Sequence, residues 1–142
     1  MKLFLDTSVL LAASGSISGA SYAILQHYGP RNKWSLITSP YCLAEVENNI
    51  EKLPLVARNR WRVIQKSLNL TADVLTLNQP SLLTRGKDKP VLFTAISYHA
   101  DALLTLDTTD FKIVLNTIVY GVEVRTPAGF LMDQRNKNRL IE

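Results

Sequence analysis

Two short apolar runs, each followed by an aspartate, constrain most strongly what this chain can fold into. Residues 3–5 (Leu-Phe-Leu) precede Asp6, and the largely apolar run at residues 102–106 precedes Asp107. An apolar run without polar alternation is typical of a strand covered on both faces, as in a parallel sheet. Ligands bind beyond the carboxyl ends of the strands in open α/β sheets, so both aspartates are expected at that edge.

The rest of the chain alternates between strand-like and helix-like segments. Further strands are predicted at residues 34–38, 72–77 and 122–126, and helices at about 18–28, 40–50, 53–68, 88–99 and 127–133. Gly29-Pro30 is expected to end the first of these helices, and Asp88 with Pro90 to begin the fourth. This alternation predicts a three-layer α/β/α sandwich with a mainly parallel central sheet.

Composition narrows the class of protein. The chain has 142 residues, of which 46% are hydrophobic, so it is long enough for one globular domain with its own core. A single Cys and two widely separated His residues exclude a disulfide scaffold and a zinc finger. No apolar run has the length of a membrane span, and Asp6 interrupts the segment that resembles a secretory signal, so a cytoplasmic protein is expected. Residues 1–133 are predicted to form the domain and residues 134–142 a polar tail.

Four acidic residues are expected to converge at the carboxyl edge of the sheet. Asp6 and Asp107 end strands, Asp88 begins a helix, and Glu45 lies in a helix that follows a strand. Clustered carboxylates repel one another unless a cation neutralises them. Oxygen donors without thiolates or paired imidazoles suit Mg²⁺ or Mn²⁺, ions that commonly share their coordination with phosphate oxygens. The pattern therefore indicates metal-assisted phosphodiester chemistry.

The sequence resembles the PIN-domain nucleases. The resemblance covers nearly the whole chain and lies in residues 3–10, 40–46, 87–92, 100–111 and 126–131. Each motif is weak alone, whereas their order and spacing together are specific. Many family members of this length resemble the VapC-type ribonuclease toxins of toxin-antitoxin pairs, which cut RNA with Mg²⁺ or Mn²⁺ and often dimerise. The resemblance thus implies a small antitoxin protein and a second copy of the chain as partners, besides RNA.

The resemblance also implies a role for each acidic residue. Asp6 and Asp88 are the implied principal metal ligands, and Asp107 completes the site directly or through water. Glu45 is implied to orient a ligand water or the nucleophile. Supporting roles fall on Ser8 and Thr105, which hold acids in place, and on Asp110 as an additional acid. Pro90 departs from the commoner toxin form of the third motif, so the metal site is better supported than the toxin role.

A basic track for RNA is the last predicted feature. Arg58, Arg62 and Lys66 form a stripe with a spacing of four residues, and Arg85, Lys87 and Lys89 lie near Asp88 in sequence. Such a stripe is more often a solvated helix face. An acidic pocket would nevertheless repel RNA unless basic side chains lay around it.

Several alternatives remain open at this stage. Taken singly, Asp6 can end a strand in a turn, Asp88 can cap a helix, and Glu45 can be solvated, so the prediction depends on their convergence. The leading hypothesis is a metal-dependent endoribonuclease, the toxin of a toxin-antitoxin pair. The alternative is a non-catalytic PIN-like module that binds RNA or a protein. A phosphotransferase with Asp6 as nucleophile is disfavoured, because the second Asp expected two positions later is Ser8.

Overall fold

A six-stranded sheet forms the centre of the computed structural model, which describes residues 1–75 and 89–142. The strands are β1 (Lys2–Leu5), β2 (Ser35–Thr38), β3 (Asn69–Leu70), β4 (Ala102–Leu104), β5 (Ile118–Val119) and β6 (Val122–Arg125). Their order across the sheet is β3-β2-β1-β4-β6-β5, and every pair is parallel except β5–β6. The predicted mainly parallel sheet is confirmed.

Helices cover both faces of this sheet. They are α1 (Thr7–Gly15), α2 (Ala20–Ala23), a π-helical turn (Ile24–Tyr28), α3 (Gly29–Asn32), α4 (Pro40–Asn49), a 3₁₀ turn (Ile50–Lys52), α5 (Leu55–Gln65), α6 (Lys89–Ser97) and α7 (Pro127–Asn136). Side chains that alternate along the strands point to opposite faces and so enter two separate cores. In β1, Leu3 and Leu5 join one core with α1, α5 and α7, whereas Phe4 joins the other with α6. The predicted three-layer sandwich is thereby confirmed.

The helix predicted to end at Gly29-Pro30 continues to Asn32. The π-helical turn precedes these two residues and leads directly into α3, and Lys33 then ends the helix with a φ of 55°. A Cβ atom at position 29 would lie 2.6 Å from the carbonyl oxygen of Ile24 and 3.0 Å from Leu36 Cδ1. Glycine is therefore required here by close packing, and the prediction that it ends the helix was wrong.

The strand predicted at residues 72–77 is also misplaced as far as the structure describes it. The strand lies earlier, at Asn69–Leu70, and Thr71 extends its pairing by donating its amide to Thr38 at 2.8 Å. The amides of Ala72 and Val74 instead donate to side chains, the hydroxyls of Tyr98 and Thr94. Residues 76 and 77, like the predicted loop or short helix at 80–86, lie outside the described residues.

The last helix is longer than predicted. α7 runs through Asn136, and Gln134, expected at the start of the polar tail, is buried. The chain then returns to α3, where the Asn32 side chain accepts the Ile141 amide at 2.8 Å and donates to the Ile141 carbonyl at 3.0 Å.

No single helix within residues 1–75 and 89–142 combines the length and apolar character of a membrane span. Thr7–Gly15 and Ala20–Asn32 meet both criteria only as a pair, with a bend of 96° between them.

Candidate active site

The candidate site lies where the order of the strands reverses. β1 is flanked by β2 on one side and by β4 on the other, with Leu5 in register with Leu104. Asp6 follows β1 and donates its amide to the Leu104 carbonyl at 3.1 Å, so its side chain emerges beside the end of β4. Such a reversal point opens a crevice at the carboxyl ends of the strands, where ligands bind in α/β folds.

Two hydroxyl groups hold the buried Asp6 carboxylate. Its Oδ2 accepts from Thr105 Oγ1 at 2.8 Å and from Ser8 Oγ at 3.0 Å. Each hydroxyl oxygen in turn accepts a backbone amide from the loop after β4, Leu106 to Ser8 at 2.9 Å and Asp107 to Thr105 at 3.0 Å. The supporting hydroxyls predicted from the sequence therefore orient Asp6 and tie it to the Asp107 loop.

The charge of Asp6 is poorly compensated by the described residues. Burial raises the pKa of its carboxyl, the negative charge of Glu45 adds to this, and hydrogen bonds from Thr105, Ser8 and the Thr7 amide oppose it. No Lys or Arg side chain in residues 1–75 or 90–142 forms an ion pair with Asp6. Burial also raises the pKa of the nearby Cys42 thiol to about 11, and the negative charge of Asp6 contributes to that rise.

Glu45 reaches the site from α4. This helix begins with Ser39, whose hydroxyl accepts the Cys42 amide at 3.3 Å, and with Pro40 in its first turn. Thr7 Oγ1 donates to Glu45 Oε1 at 3.0 Å and so connects α4 to the first residue of α1. Ser8 thus positions Asp6, and Thr7 positions Glu45, so this short segment orients two acidic side chains of the site.

A pocket of about 220 Å³ brings three of the four predicted acids together. Its lining residues are Asp6, Thr7, Ser8, Leu11, Glu45, Asn49 and Asp107. Asp88, the fourth acid, lies outside the described residues. Within the ranges that are described, no three His, Cys, Asp or Glu side chains are arranged to hold a metal ion together.

Asp110 does not line this pocket. It is buried, and its amide donates to Asp107 Oδ1 at 3.0 Å, so it helps to shape the loop that carries Asp107.

The basic stripe is separated from the acidic pocket. Arg58 and Arg62 line a different pocket, of about 300 Å³, together with Glu47 and Glu51. Positions 45 and 47 of a helix are about 200° apart, so Glu47 and Glu45 lie on nearly opposite faces of α4. Lys66 follows the last residue of α5. Arg85, Lys87 and the side chain of Lys89 lie outside the described part of the structure.

Sequence reasoning missed two polar residues of the pocket. Thr7 binds Glu45, and Asn49 donates its side-chain amide to the Glu45 carbonyl at 2.7 Å. Spacing offered a signal for Asn49, because a residue four positions after Glu45 lies on the same helix face. Thr7 had no such signal, because its partner is 38 residues away.

Comparison with known proteins identifies the fold. No protein-family model and no curated protein matches the sequence. One chain of a solved structure, "Crystal structure of VapBC2 from Rickettsia felis bound to a DNA fragment from their promoter", matches with a TM-score of 0.60 at 19% identity. The match covers 87% of this chain and 98% of that one. This chain therefore has the α/β sandwich fold of a VapBC2 chain, consistent with its resemblance to VapC-type PIN-domain proteins.

Proposed function

We propose that this protein is a metal-dependent endoribonuclease and the toxin of a toxin-antitoxin pair. The observation that carries the proposal is the Asp6 carboxylate, which is buried, held by two hydroxyls and shares a pocket with Glu45 and Asp107. The pocket lies at the reversal point of the sheet, and the fold is that of a VapBC2 chain. The fold supports the toxin role, and the pocket supports the chemistry.

The donor set of the pocket fits a hard divalent cation. Asp6 bears a carboxylate with a raised pKa and no described ion-pair partner, and the pocket offers oxygen donors without thiolate or imidazole. Mg²⁺ is usually held by one or two carboxylates, with waters and substrate phosphates completing its coordination. Asp6 and Asp107, together with Asp88, would hold Mg²⁺ or Mn²⁺. A bound ion supplies positive charge for the phosphate oxygens and makes bound water more acidic.

The side chains of the protein itself have separate roles in the proposed reaction. Ser8 and Thr105 hold Asp6 in one rotamer, so that the carboxylate is ordered before substrate binds. Thr7 holds Oε1 of Glu45, and Oε2 of Glu45 would orient the attacking water and accept its proton. The water oxygen bonds to phosphorus as the P–O bond to the leaving oxygen breaks, and that oxygen takes a proton from solvent.

To test the nuclease activity, the purified protein is incubated with labelled single-stranded and structured RNAs in the presence of Mg²⁺, Mn²⁺ or chelator. Cleavage should require metal and fall at least ~100-fold in Asp6→Asn, since changes to partners of metal ligands already cost about 10- to 100-fold. Asp88→Asn should abolish cleavage as well. Asp133→Asn is the matched control, because Asp133 lies on α7 and does not line the pocket. Equal cleavage by Asp6→Asn and the wild type would refute the proposal.

The toxin role needs a separate measurement. The acidic pocket would attract a basic side chain, so we propose that a small antitoxin inhibits the enzyme by inserting a segment there. Induced expression should arrest growth, and Asp6→Asn should relieve the arrest. Cleavage without growth arrest would instead indicate a processing nuclease. The homodimer implied by the resemblance is tested by the molecular mass in solution.

The second candidate is a non-catalytic PIN-like module that binds RNA or a protein. RNA binding that persists without cleavage under every metal condition would establish this alternative.

A further inference from the structure

An apolar groove adjoins the acidic pocket. It has a volume of about 520 Å³ and is lined mainly by Leu11, Ala12, Gly15, Asn49, Lys52 and Leu53. Leu11 and Asn49 also line the acidic pocket, so the two cavities are neighbours between α1 and the end of α4. An extended ligand in the acidic pocket would have this groove beside it.

One of the residues that line the groove, Lys52, carries a positive charge. The Lys52 side chain is exposed, and its Nζ donates to Asn49 Oδ1 at 3.1 Å. The same Asn49 side chain donates through Nδ2 to the Glu45 carbonyl at 2.7 Å. Asn49 thus holds the ammonium group of Lys52 at the junction of the apolar groove and the acidic pocket.

This combination matches the chemistry of a nucleotide. A nucleobase has flat faces that pack on apolar side chains such as Leu11 and Leu53, and its adjoining phosphate is an anion suited to Lys52. The volume lies within the range of small-molecule sites and exceeds that of the acidic pocket. Lys52 also offers a positive charge beside an acidic pocket that would otherwise repel RNA.

We propose that this groove is a base subsite, in which the base next to the scissile phosphate of single-stranded RNA packs on Leu11 and Leu53 while Lys52 binds the adjoining phosphate. The subsite rests on the proposed ribonuclease function and adds a substrate preference to it. RNA with an unstacked, accessible base beside the cleaved bond is favoured, whereas duplex RNA is excluded because its bases are paired and stacked.

The test uses a variant that fills the groove. Among the described residues, a Cβ atom at Gly15 would meet only Leu53 Cδ1, at 4.0 Å, and Gly15 lines the groove, so Gly15→Leu has room for its first carbon and should occupy part of the groove. Gly15 does not line the acidic pocket. Gly15→Ala is the matched control, because it adds a single methyl group and leaves most of the groove open.

Binding is measured by fluorescence anisotropy with labelled hexaribonucleotides that carry one abasic site at each position in turn. The parent and each of the three groove variants carry Asp6→Asn to prevent cleavage. One abasic position should weaken binding to the parent about tenfold, whereas Gly15→Leu should bind the intact and abasic RNAs equally. Lys52→Met should reduce the slope of log affinity against log salt by about 0.7, the value expected for one phosphate contact on a single strand.

The outcomes separate the subsite from the function. Intact and abasic RNAs bound equally by the parent would overturn the subsite, as would an unchanged salt slope in Lys52→Met. Base-dependent binding that is lost in Gly15→Leu, together with no cleavage by the wild type, would keep the subsite and refute the nuclease. An apolar peptide that binds the groove without competing with RNA would also overturn the proposal.

Discussion

Asp6 is the residue on which the candidate site depends. Its carboxylate does not cap α1, although Asp6 stands at the N-cap position of that helix. It is directed instead to Ser8 and to Thr105, which lies 99 residues away. A capping interaction is worth about 0.5–2 kcal/mol, so this orientation gives up a local stabilisation. Functional sites commonly give up some folding stability in order to hold a reactive side chain in place, as happens with this carboxylate.

The raised pKa of Asp6 predicts a pH-dependent cost in stability. The folded protein binds this proton more tightly than the unfolded chain, so the resulting stabilisation is present at low pH. It is lost as the pH rises from the unfolded to the folded pKa. In chelator, Asp6→Asn should therefore melt above the wild type at pH 7, by roughly 2–8 °C per kcal/mol relieved. Thermal melts from pH 3 to 8 should show a difference that grows and then levels off. A lower melting temperature for the variant at pH 7 would contradict this.

Thr105 offers a second test at the scale of one residue. Its side chain is fully buried, and its hydroxyl donates to Asp6 and accepts the Asp107 amide. Thr105→Val keeps the shape but leaves both partners without this hydroxyl. The free energy of unfolding in urea should fall by about 1–3 kcal/mol. Thr105→Ser keeps the hydroxyl and is the control, with a smaller loss from one missing methyl group. Equal losses for Val and Ser would show that the hydroxyl is not what stabilises the loop.

At the scale of elements, the helical segment Ala20–Asn32 shows how packing overrides a helix-ending signal. Gly29-Pro30 would normally stop a helix, yet the π-helical turn before it lets the chain continue to Asn32. Gly29 there lies directly against Leu36 of β2. The close approach of helix to sheet, rather than backbone flexibility, explains the glycine.

Gly29→Ala should accordingly destabilise the fold. Alanine is normally the better helix former by about 1 kcal/mol, so helix propensity alone predicts a gain. The new Cβ atom would lie 2.6 Å from the Ile24 carbonyl oxygen, and overpacking of this kind costs about 1–3 kcal/mol. Urea denaturation should thus show a net loss for Gly29→Ala. Gly15→Ala, at the end of α1, should be neutral or stabilising by the same measurement. A gain at position 29 would mean that the helix relaxes away from β2.

At the scale of the whole molecule, a bound cation should stabilise the fold. The proposed ligands come from the ends of β1 and β4, so an ion that binds only the folded state strengthens the centre of the sheet. Free Mg²⁺ or Mn²⁺ at 100 times its dissociation constant should add about 2.7 kcal/mol, which is lost on chelation. The measurement is the melting temperature by calorimetry, with and without chelator, for the wild type, Asp6→Asn and Asp133→Asn. A melting temperature that chelator leaves unchanged in all three proteins would argue against the metal site.

Much of the site was predictable because its acids are marked by local patterns. Asp6 and Asp107 each follow a short apolar run, and the pairing of β1 with β4 brings these two ends together. Glu45 lies on a helix that begins at Pro40, as the spacing predicted. The position of β3 was not predictable from composition, because residues 69–70 are exposed and carry no apolar alternation.

The sequence by itself determined four of the six strands, several of the helices and the residue types at the carboxyl edge of the sheet, but not β3, β5 or α1. These features depend on side-chain periodicity and burial, which act over a few neighbouring residues. Tertiary structure alone decided that Thr105 holds Asp6 and that Thr7 holds Glu45 in the acidic pocket. Both contacts join elements far apart in sequence. Their geometry follows from strand order and helix packing, to which the whole chain contributes.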